Sequence, residues 1–154
     1  MGMLVDGKWQ VQNLVVKTAK GSFERDAALF RNWITKDGSA GPSGDAGFAA
    51  QTGRYHLYVS TACPWAHRTL IFRALKGLAE HIPVSVVHPD MLDNGWTFAG
   101  DDHGATGDML YGLEYAHQIY TRAIPDVTGR VTVPILWDKQ RNTIVSNESS
   151  EIIR

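Results

Sequence analysis

Cysteine is almost absent from this sequence, since Cys63 is the only one in 154 residues. One cysteine cannot form an internal disulfide, so a disulfide-stabilised scaffold is excluded and a reducing compartment is expected. No apolar run approaches the roughly 18 residues that a membrane span needs. The first residues also lack the apolar stretch of a signal peptide. These absences predict a cytoplasmic protein that has no membrane partner.

An excess of charge of one sign is also missing. The 15 Lys and Arg residues and the 16 Asp and Glu residues leave a formal net charge of -1. A near-neutral chain lacks the basic surface that attracts phosphate backbones, so no nucleic-acid partner is expected. The six histidines lack the spacing of metal ligands, so no metal is expected either. Hydrophobic residues make up 44% of the chain, which is typical of a globular domain.

The first third of the chain contains few regular patterns. A possible capping serine and four apolar residues at helical spacing predict one short amphipathic helix. These residues are Ser22, Phe23, Ala27, Phe30 and Ile34. Residues 36–53 are rich in Gly, Ser and Ala and predict a long loop. We therefore expect an N-terminal arm with a Gly-rich loop over residues 1–53 and a folded domain over residues 54–154.

Strand and helix patterns alternate in the predicted domain. The predicted strands are 55–60, 83–88, 131–137 and 143–146. The first predicted helix is 64–76, and its apolar face consists of Leu70, Ile71, Ala74 and Leu78. The second is predicted from the apolar stripe Met109, Leu113, Ala116, Tyr120 and Ala123, and the third begins at Glu148. A short crossover helix implies that the first two strands are parallel. The order β-α-β-α-β-β-α is that of an α/β, thioredoxin-like fold with a mixed four-stranded sheet and an N-terminal extension.

Cys63 lies between a predicted strand and a predicted helix, directly before Pro64. Proline suits the first turn of a helix, because its missing N–H would have no intrahelical partner there. The free N–H groups of that turn favour an anion, and a thiolate is such an anion. Two interpretations remain, a reactive thiolate and an inert buried cysteine, and the position favours the first. Because there is no second cysteine, any disulfide that Cys63 forms requires an external small thiol for its resolution.

Two other local patterns point to a ligand site. A cis peptide bond between Val133 and Pro134 would turn the Val133 backbone outward to pair with an extended peptide, although a trans proline at a strand start fits the sequence equally well. Glu148 and Ser149 begin the last predicted helix, where free N–H groups and a hydroxyl bind a carboxylate. Plain capping of the helix by Ser149 or Ser150 also explains these residues.

In this order the motifs resemble the glutathione-binding half of a glutathione transferase, and more closely the glutathionyl-hydroquinone reductases, or Xi class. The resemblance extends over nearly the whole chain. It rests on residues 30–33 (FRNW), 55–60 (YHLYVS), 63–68 (CPWAHR), 94–98 (NGWTF), 129–134 (GRVTVP) and 146–149 (SNES). The CPWA and NGWTF segments are specific, whereas Val-Pro and Glu-Ser are shared by most glutathione transferases.

The resemblance implies roles for the matching residues. Cys63 would be the catalytic nucleophile: it would attack the sulfur of an S-glutathionyl-hydroquinone, release the hydroquinone and keep glutathione, the co-substrate, as a mixed disulfide. A second glutathione would then leave as oxidised glutathione. Pro64 and Pro134 would be structural. The residues implied to bind glutathione are Trp96, Arg130, Val131, Thr132, Val133, Glu148 and Ser149.

The resemblance also implies parts that residues 1–154 do not include. Members of the family continue into a helical C-terminal domain with the hydroquinone pocket, and the full-length form is expected to be a homodimer. The last predicted helix is accordingly expected to be cut short. Two alternatives remain: an omega-like glutathione thiol transferase acting on dehydroascorbate or mixed disulfides, and a thioredoxin-fold module that binds partners without chemistry.

Overall fold

The computed structural model describes residues 2–11, 27–99 and 103–154. Its elements are β1 (Gly2–Val5), β2 (Lys8–Val11), β3 (Tyr55–Ser60), α1 (Pro64–Leu75), β4 (Val84–Val87), α2 (His117–Ala123), β5 (Ile135–Asp138), β6 (Thr143–Ser146) and α3 (Ser149–Ile152). Strands β1 and β2 form an antiparallel hairpin of their own. None of the helices in the described ranges has the length and apolar character that crossing a bilayer requires.

The other four strands form one mixed sheet in the order β4-β3-β5-β6. Strand β3 pairs in parallel with β4, and helix α1 makes the crossover between them, as the sequence predicts. Strand β5 is antiparallel to both β3 and β6, so β5 and β6 form the expected hairpin. This arrangement confirms the thioredoxin-like fold class.

The two central strands form the core of this sheet. All six residues of β3 and all four of β5 are buried, because both faces of the sheet are covered. The largest fully buried side chains include Trp137 and Tyr58 from these strands and Tyr120 from α2. The start of α1 is therefore joined directly to a rigid strand, β3. The cleft described below lies at this junction.

Both edges of the sheet are covered by irregular segments. On the β4 edge, Thr106 donates its backbone N–H to the Val86 carbonyl at 3.0 Å and its hydroxyl accepts from the Val86 N–H at 2.8 Å. On the β6 edge, Asn32 donates to the Val145 carbonyl at 2.9 Å. These contacts occupy strand groups that would otherwise pair with another chain.

The helix predicted in the N-terminal arm is wrong for its described part. Residues 27–34 form no helix, and Arg31 forms an antiparallel bridge with Ser146. Because the β6 edge provides hydrogen-bond partners for this backbone, pairing with the sheet replaces helix formation. Ser22 and Phe23, which began the predicted helix, lie outside the described residues.

The second predicted helix is correct only in its last part. Helix α2 begins at His117, and Met109, at the start of the predicted stripe, is 67% exposed. The Asp108 carboxylate accepts hydrogen bonds from the N–H groups of Leu110, Tyr111 and Leu113 and folds this segment into turns. Such side-chain acceptors compete with helical hydrogen bonds, which explains the late start of α2.

Two smaller predictions also need correction. Strand β5 begins at Ile135 rather than at Val131, because Pro134 has no N–H for a ladder and the Thr132 N–H donates to the Tyr120 hydroxyl at 3.2 Å. Helix α1 buries Ala66 and Thr69 against the sheet, whereas Ile71, assigned to the apolar face, is 48% exposed. An α-helix has 3.6 residues per turn, so Leu70, four residues after Ala66, lies on the same face as Ala66. Ile71 lies to the side of that face.

Candidate functional site

A cleft of about 590 Å³ opens beside the start of α1. Its walls come from the β1 end of the hairpin, residues 27–29, the first turn of α1, the segment 91–96 and the segment 128–133. Six of the residues singled out in the sequence line it together: Cys63, Trp96, Arg130, Val131, Thr132 and Val133. Segments far apart in the chain therefore meet where the sequence predicts one site.

Cys63 is held at the junction of β3 and α1 by its own backbone. Its N–H donates to the Ser60 carbonyl at 3.2 Å, and its carbonyl accepts from the His67 N–H at 2.9 Å. Cys63 is the N-cap residue of α1, with Pro64 in the first turn, as predicted. This backbone geometry directs the partly exposed thiol into the cleft.

Val133 is the nearest backbone partner of the thiol. The Cys63 thiol donates to the Val133 carbonyl across a distance of 3.4 Å. The Val133–Pro134 peptide bond is cis, the first of the two alternatives that the sequence left open. No hydrogen bond from the Val133 N–H to another residue of the described ranges is present. This N–H is therefore a donor that a ligand in the cleft can use.

A buried polar network, which the sequence did not reveal, supports the wall formed by residues 131–133. The Tyr120 hydroxyl donates to the Thr132 carbonyl at 3.0 Å and accepts from the Asn147 side-chain amide at 3.1 Å. The same amide donates to the Thr132 hydroxyl, and the Asn147 side-chain oxygen accepts from the Phe30 N–H. Burial raises the pKa of Tyr120, so its hydroxyl stays protonated. Tyr120 therefore does more than the core packing expected of it.

Asn147 itself lines the cleft and links it to α3. The sequence offered one signal for it, its place directly before Glu148 in the SNES segment. From the sequence alone, an asparagine at that position fits a turn residue equally well. Its role in the site depends on contacts with Tyr120 and Phe30, which form only in the folded protein.

Glu148 and Ser149 follow Asn147 but are not among the residues that line the cleft. Glu148 is the N-cap residue of α3, and its carboxylate accepts from the Ser150 N–H at 3.1 Å. The Ser149 hydroxyl accepts from the Arg68 guanidinium at 3.2 Å. The N-terminus of α3 is therefore capped, but by Glu148 and not by Ser149 or Ser150 as the sequence suggested.

Arg68 also connects the cleft wall to α3. Its guanidinium lies 4.7 Å from the centre of the Trp65 ring, and Trp65 lines the cleft while 44% exposed. In the cleft lining itself, Arg130 supplies a cation suited to a ligand carboxylate.

Comparison with known proteins agrees with this geometry. Residues 62–154 match the family described as "Glutathione S-transferase, N-terminal domain". The chain belongs to the glutathione S-transferase family. Cys63, Val133 and Asn147 all lie within the matched range of this glutathione S-transferase chain.

Two similar proteins narrow the relationship, and one of them matches in both sequence and solved structure. The chain is 60% identical to the glutathionyl-hydroquinone reductase YqjG of Escherichia coli (strain K12), over 100% of this chain and 47% of the relative. A glutathione-bound structure of YqjG superposes with a TM-score of 0.86 and 56% identity, over 99% of this chain and 44% of that one. A Xi-class transferase from Natrialba magadii gives a TM-score of 0.82 and 50% identity, over 100% of this chain and 43% of that one. This glutathione S-transferase chain thus spans a little under half the length of these relatives.

Proposed function

We propose that this chain supplies the glutathione site and the reactive cysteine of a glutathionyl-hydroquinone reductase. The observation that carries the proposal is the Cys63 sulfur, 3.4 Å from the Val133 carbonyl in a cleft that Trp96 and Arg130 also line. The similarity to a glutathionyl-hydroquinone reductase and to a glutathione-bound structure supports this assignment.

Glutathione fits the cleft as an extended tripeptide. Its cysteinyl part pairs with the backbone of Val133, which brings the glutathione sulfur close to Cys63. Trp96, Arg130 and the backbone of Val131 and Thr132 flank the tripeptide, and the Arg130 cation suits a carboxylate. The γ-glutamyl end extends toward Glu148 and Ser149, where a carboxylate and a hydroxyl match an ammonium group and a carboxylate.

The reaction proceeds in two steps, an attack of Cys63 on the thioether sulfur of the substrate and then a thiol–disulfide exchange with glutathione. The Cys63 thiolate attacks the sulfur of the S-glutathionyl-hydroquinone, an S–S bond forms, and the bond between sulfur and the ring carbon breaks. The electron pair of the broken bond goes to the ring carbon, which takes a proton and leaves as hydroquinone. A glutathione thiolate then attacks the mixed disulfide, releasing oxidised glutathione and the Cys63 thiolate. In total the ring carbon is reduced by two electrons, and two glutathione sulfurs, one from the substrate thioether and one from the free thiol, are oxidised to the disulfide.

Mass spectrometry with a quinone assay tests this function. The protein is incubated with glutathionyl-menadiol without free glutathione, and we expect one glutathionyl adduct on Cys63 together with one equivalent of released menadiol. Added glutathione should then remove the adduct as oxidised glutathione. The Cys63→Ser variant should give neither product, and His67→Ala, which changes an exposed residue of the same helix, serves as the matched control.

Other outcomes would contradict the proposal in different ways. Release of menadiol from the Cys63→Ser variant would show that another group acts as nucleophile. An adduct that forms with glutathionylated peptides but not with glutathionyl-menadiol would favour the omega-like thiol transferase. Absence of any adduct would leave a binding module without chemistry.

A further inference from the structure

The N-terminal hairpin forms hydrogen bonds to two of the segments that form the cleft walls, 128–133 and 91–96. On one side, Leu4 and Gly129 exchange two backbone hydrogen bonds of 2.9 Å, directly before Arg130. The Gly7 N–H adds a bond of 3.0 Å to the Val127 carbonyl. Gly2 and Met3 of the same hairpin line the cleft. The hairpin is therefore part of the site and not a detached extension.

Trp9 makes the contact on the other side. Its ring stacks on His117 with centroids 5.0 Å apart and planes 17° apart, and His117 stacks in turn on Tyr115 at 5.2 Å and 9°. The Trp9 indole N–H donates to the Asp93 carbonyl at 2.9 Å. Trp9 thus joins the first residues of α2 to the turn that precedes Trp96.

The turn of residues 93–95 fits under the Trp9 ring only because of a glycine. A Cβ on Gly95 would lie 2.8 Å from the Trp9 ring, and Gly95 has a positive φ of 75°. The Asn94 side-chain amide donates to the Tyr115 hydroxyl at 3.3 Å, and the Trp96 carbonyl accepts from the Ala116 N–H at 2.9 Å. The position of Trp96 is therefore determined from both sides of this turn.

We propose that Trp9 is a positioning residue for the glutathione cleft: by stacking on His117 and bonding to Asp93, it holds the 93–95 turn so that Trp96 forms the wall against which the tripeptide binds. We call Trp9, His117 and the 93–95 turn the Trp9 latch. The inference rests on the function proposed above, since it concerns affinity for glutathione. It assigns a role in ligand binding to a residue that the sequence placed in the arm, 54 residues before Cys63.

Titration calorimetry with S-methylglutathione tests the latch. The Cys63→Ser background prevents exchange chemistry during the measurement. We expect Trp9→Ala to raise Kd about tenfold, because a stack and a hydrogen bond that fix the wall are lost together. Trp9→Phe keeps the stack and loses the hydrogen bond, so its Kd should lie between those of Trp9→Ala and the parent. Lys8→Ala, an exposed neighbour on β2, is the matched control and should leave Kd unchanged.

A second measurement separates positioning from general loss of structure. The rate at which iodoacetamide alkylates Cys63 without ligand, in the protein that retains Cys63, should be the same for the parent and the Trp9 variants, since α1 and β3 hold the thiol independently of the latch. If alkylation and Kd change together, the effect is structural and the proposal fails. If Trp9→Ala does not fold, Trp9→Phe and Gly95→Ala decide the question, because Gly95→Ala displaces the turn from the other side.

Failure of the latch can be told apart from failure of the function. If the parent binds S-methylglutathione and Trp9→Ala binds it within twofold, the latch is wrong and the proposed function stands. If the parent does not bind S-methylglutathione, the proposed function is wrong and the role of Trp9 falls with it.

Discussion

Asn147 uses every hydrogen-bonding group of its side chain within the protein. Its amide donates to the Tyr120 and Thr132 hydroxyls, and its oxygen accepts from the Phe30 N–H at 3.1 Å. The residue is 4% exposed, so water cannot replace these partners. A single side chain thereby ties the arm, α2 and the wall before Pro134 together.

We expect Asn147→Ala to lower the free energy of unfolding by about 2–3 kcal/mol, because a buried backbone N–H and two hydroxyls lose a partner. Urea unfolding followed by fluorescence measures this loss. Asn94→Ala is the matched control, since it removes one 3.3 Å hydrogen bond of an exposed asparagine and should change stability by less than about 0.5 kcal/mol. Equal losses in the two variants would argue against the network.

The reactivity of Cys63 is a second property of a single residue. The sequence predicts a thiolate there, and this stays a prediction. The position of the sulfur in the cleft leads to a different expectation, since a bound tripeptide should cover it.

S-Methylglutathione should therefore protect Cys63 from iodoacetamide. At a ligand concentration of about ten times Kd, the rate of alkylation should fall about tenfold, because only about one site in eleven is then free. Because the chain has a single cysteine, whole-protein mass reports this rate directly. N-Acetylcysteine in the same buffer controls for effects on the reagent. An unchanged rate would place glutathione away from Cys63.

At the scale of elements, local sequence patterns predicted the strands of the sheet and helix α1 well. Four of the six residues of β3, namely Tyr55, Leu57, Tyr58 and Val59, are aromatic or aliphatic, and Gly77 follows the end of α1 with a φ of 65°. These signals are local, so they survive without knowledge of the neighbours. The order of elements was then enough to identify the topology.

The elements that were missed depend on hydrogen-bond partners that hydrophobic spacing does not show, some distant in the chain and some only a few residues away. The segment 27–34 pairs with β6, more than 100 residues away, and the start of α2 is set by the Asp108 carboxylate and by the Gln118 side chain, which accepts from the N–H groups of Glu114 and Tyr115. Helical spacing cannot show that a side chain competes for the same N–H groups. The buried His56 of strand β3 is another residue whose behaviour depends on its surroundings in the fold.

His56 makes strand β3 sensitive to acid. Its Nε2 lies 2.8 Å from the Ser85 hydroxyl of β4, and burial lowers its pKa from 6.5 to about 4. Between these pH values the unfolded chain binds a proton at this site and the folded chain does not. Above pH 6.5, neutral His56 therefore contributes about 3 kcal/mol to the free energy of unfolding relative to acid pH. This stabilisation is lost as the pH falls from 6.5 towards 4.

Replacement of His56 should flatten the acid limb of the stability profile. The free energy of unfolding of His56→Gln, measured by urea unfolding between pH 4 and 7, should fall less steeply with decreasing pH than that of the parent, because glutamine can keep the contact with Ser85 but cannot bind a proton. His81→Gln, at an exposed histidine, should retain the parent slope. Parallel profiles for His56→Gln and the parent would refute the assignment.

In the molecule as a whole, the candidate site forms where segments that are distant in the sequence come together. The hairpin, residues 27–29, the first turn of α1 and the segments 91–96 and 128–133 all contribute to the cleft. The family resemblance of the motifs implied one site for Cys63, Trp96 and Val133, but the hairpin contribution has no sequence signal. The division at residue 53 stays a prediction, although contacts cross it in several places.

One of these crossings starts from a buried ion pair between Arg54, directly before β3, and Asp138 at the end of β5, because the same arginine also binds the Gly47 carbonyl on the other side of the division. The Arg54 guanidinium donates to both carboxylate oxygens of Asp138, at 3.0 Å from Nε, and to the Gly47 carbonyl at 2.7 Å. Asp138 is 0% exposed and also accepts from the Gln140 and Arg141 N–H groups. Hydrogen bonding to Asp138 raises the pKa of Arg54, so the guanidinium is always charged.

Removal of Arg54 should therefore destabilise the whole molecule. Arg54→Met leaves the Asp138 carboxylate buried without its cation, and we expect the free energy of unfolding to fall by about 3–5 kcal/mol. The double variant Arg54→Met/Asp138→Leu removes both charges and should recover part of that loss, because an apolar pair needs no compensation for desolvation. Thermal and urea unfolding of the two variants measure the difference, with Lys36→Met as an exposed control for the same loss of a cation. If Arg54→Met and Lys36→Met are equally stable, the pair contributes little and the loop of residues 36–53 is held to the sheet by its other contacts, such as the 2.6 Å bond from the Tyr55 hydroxyl to the Ala49 carbonyl.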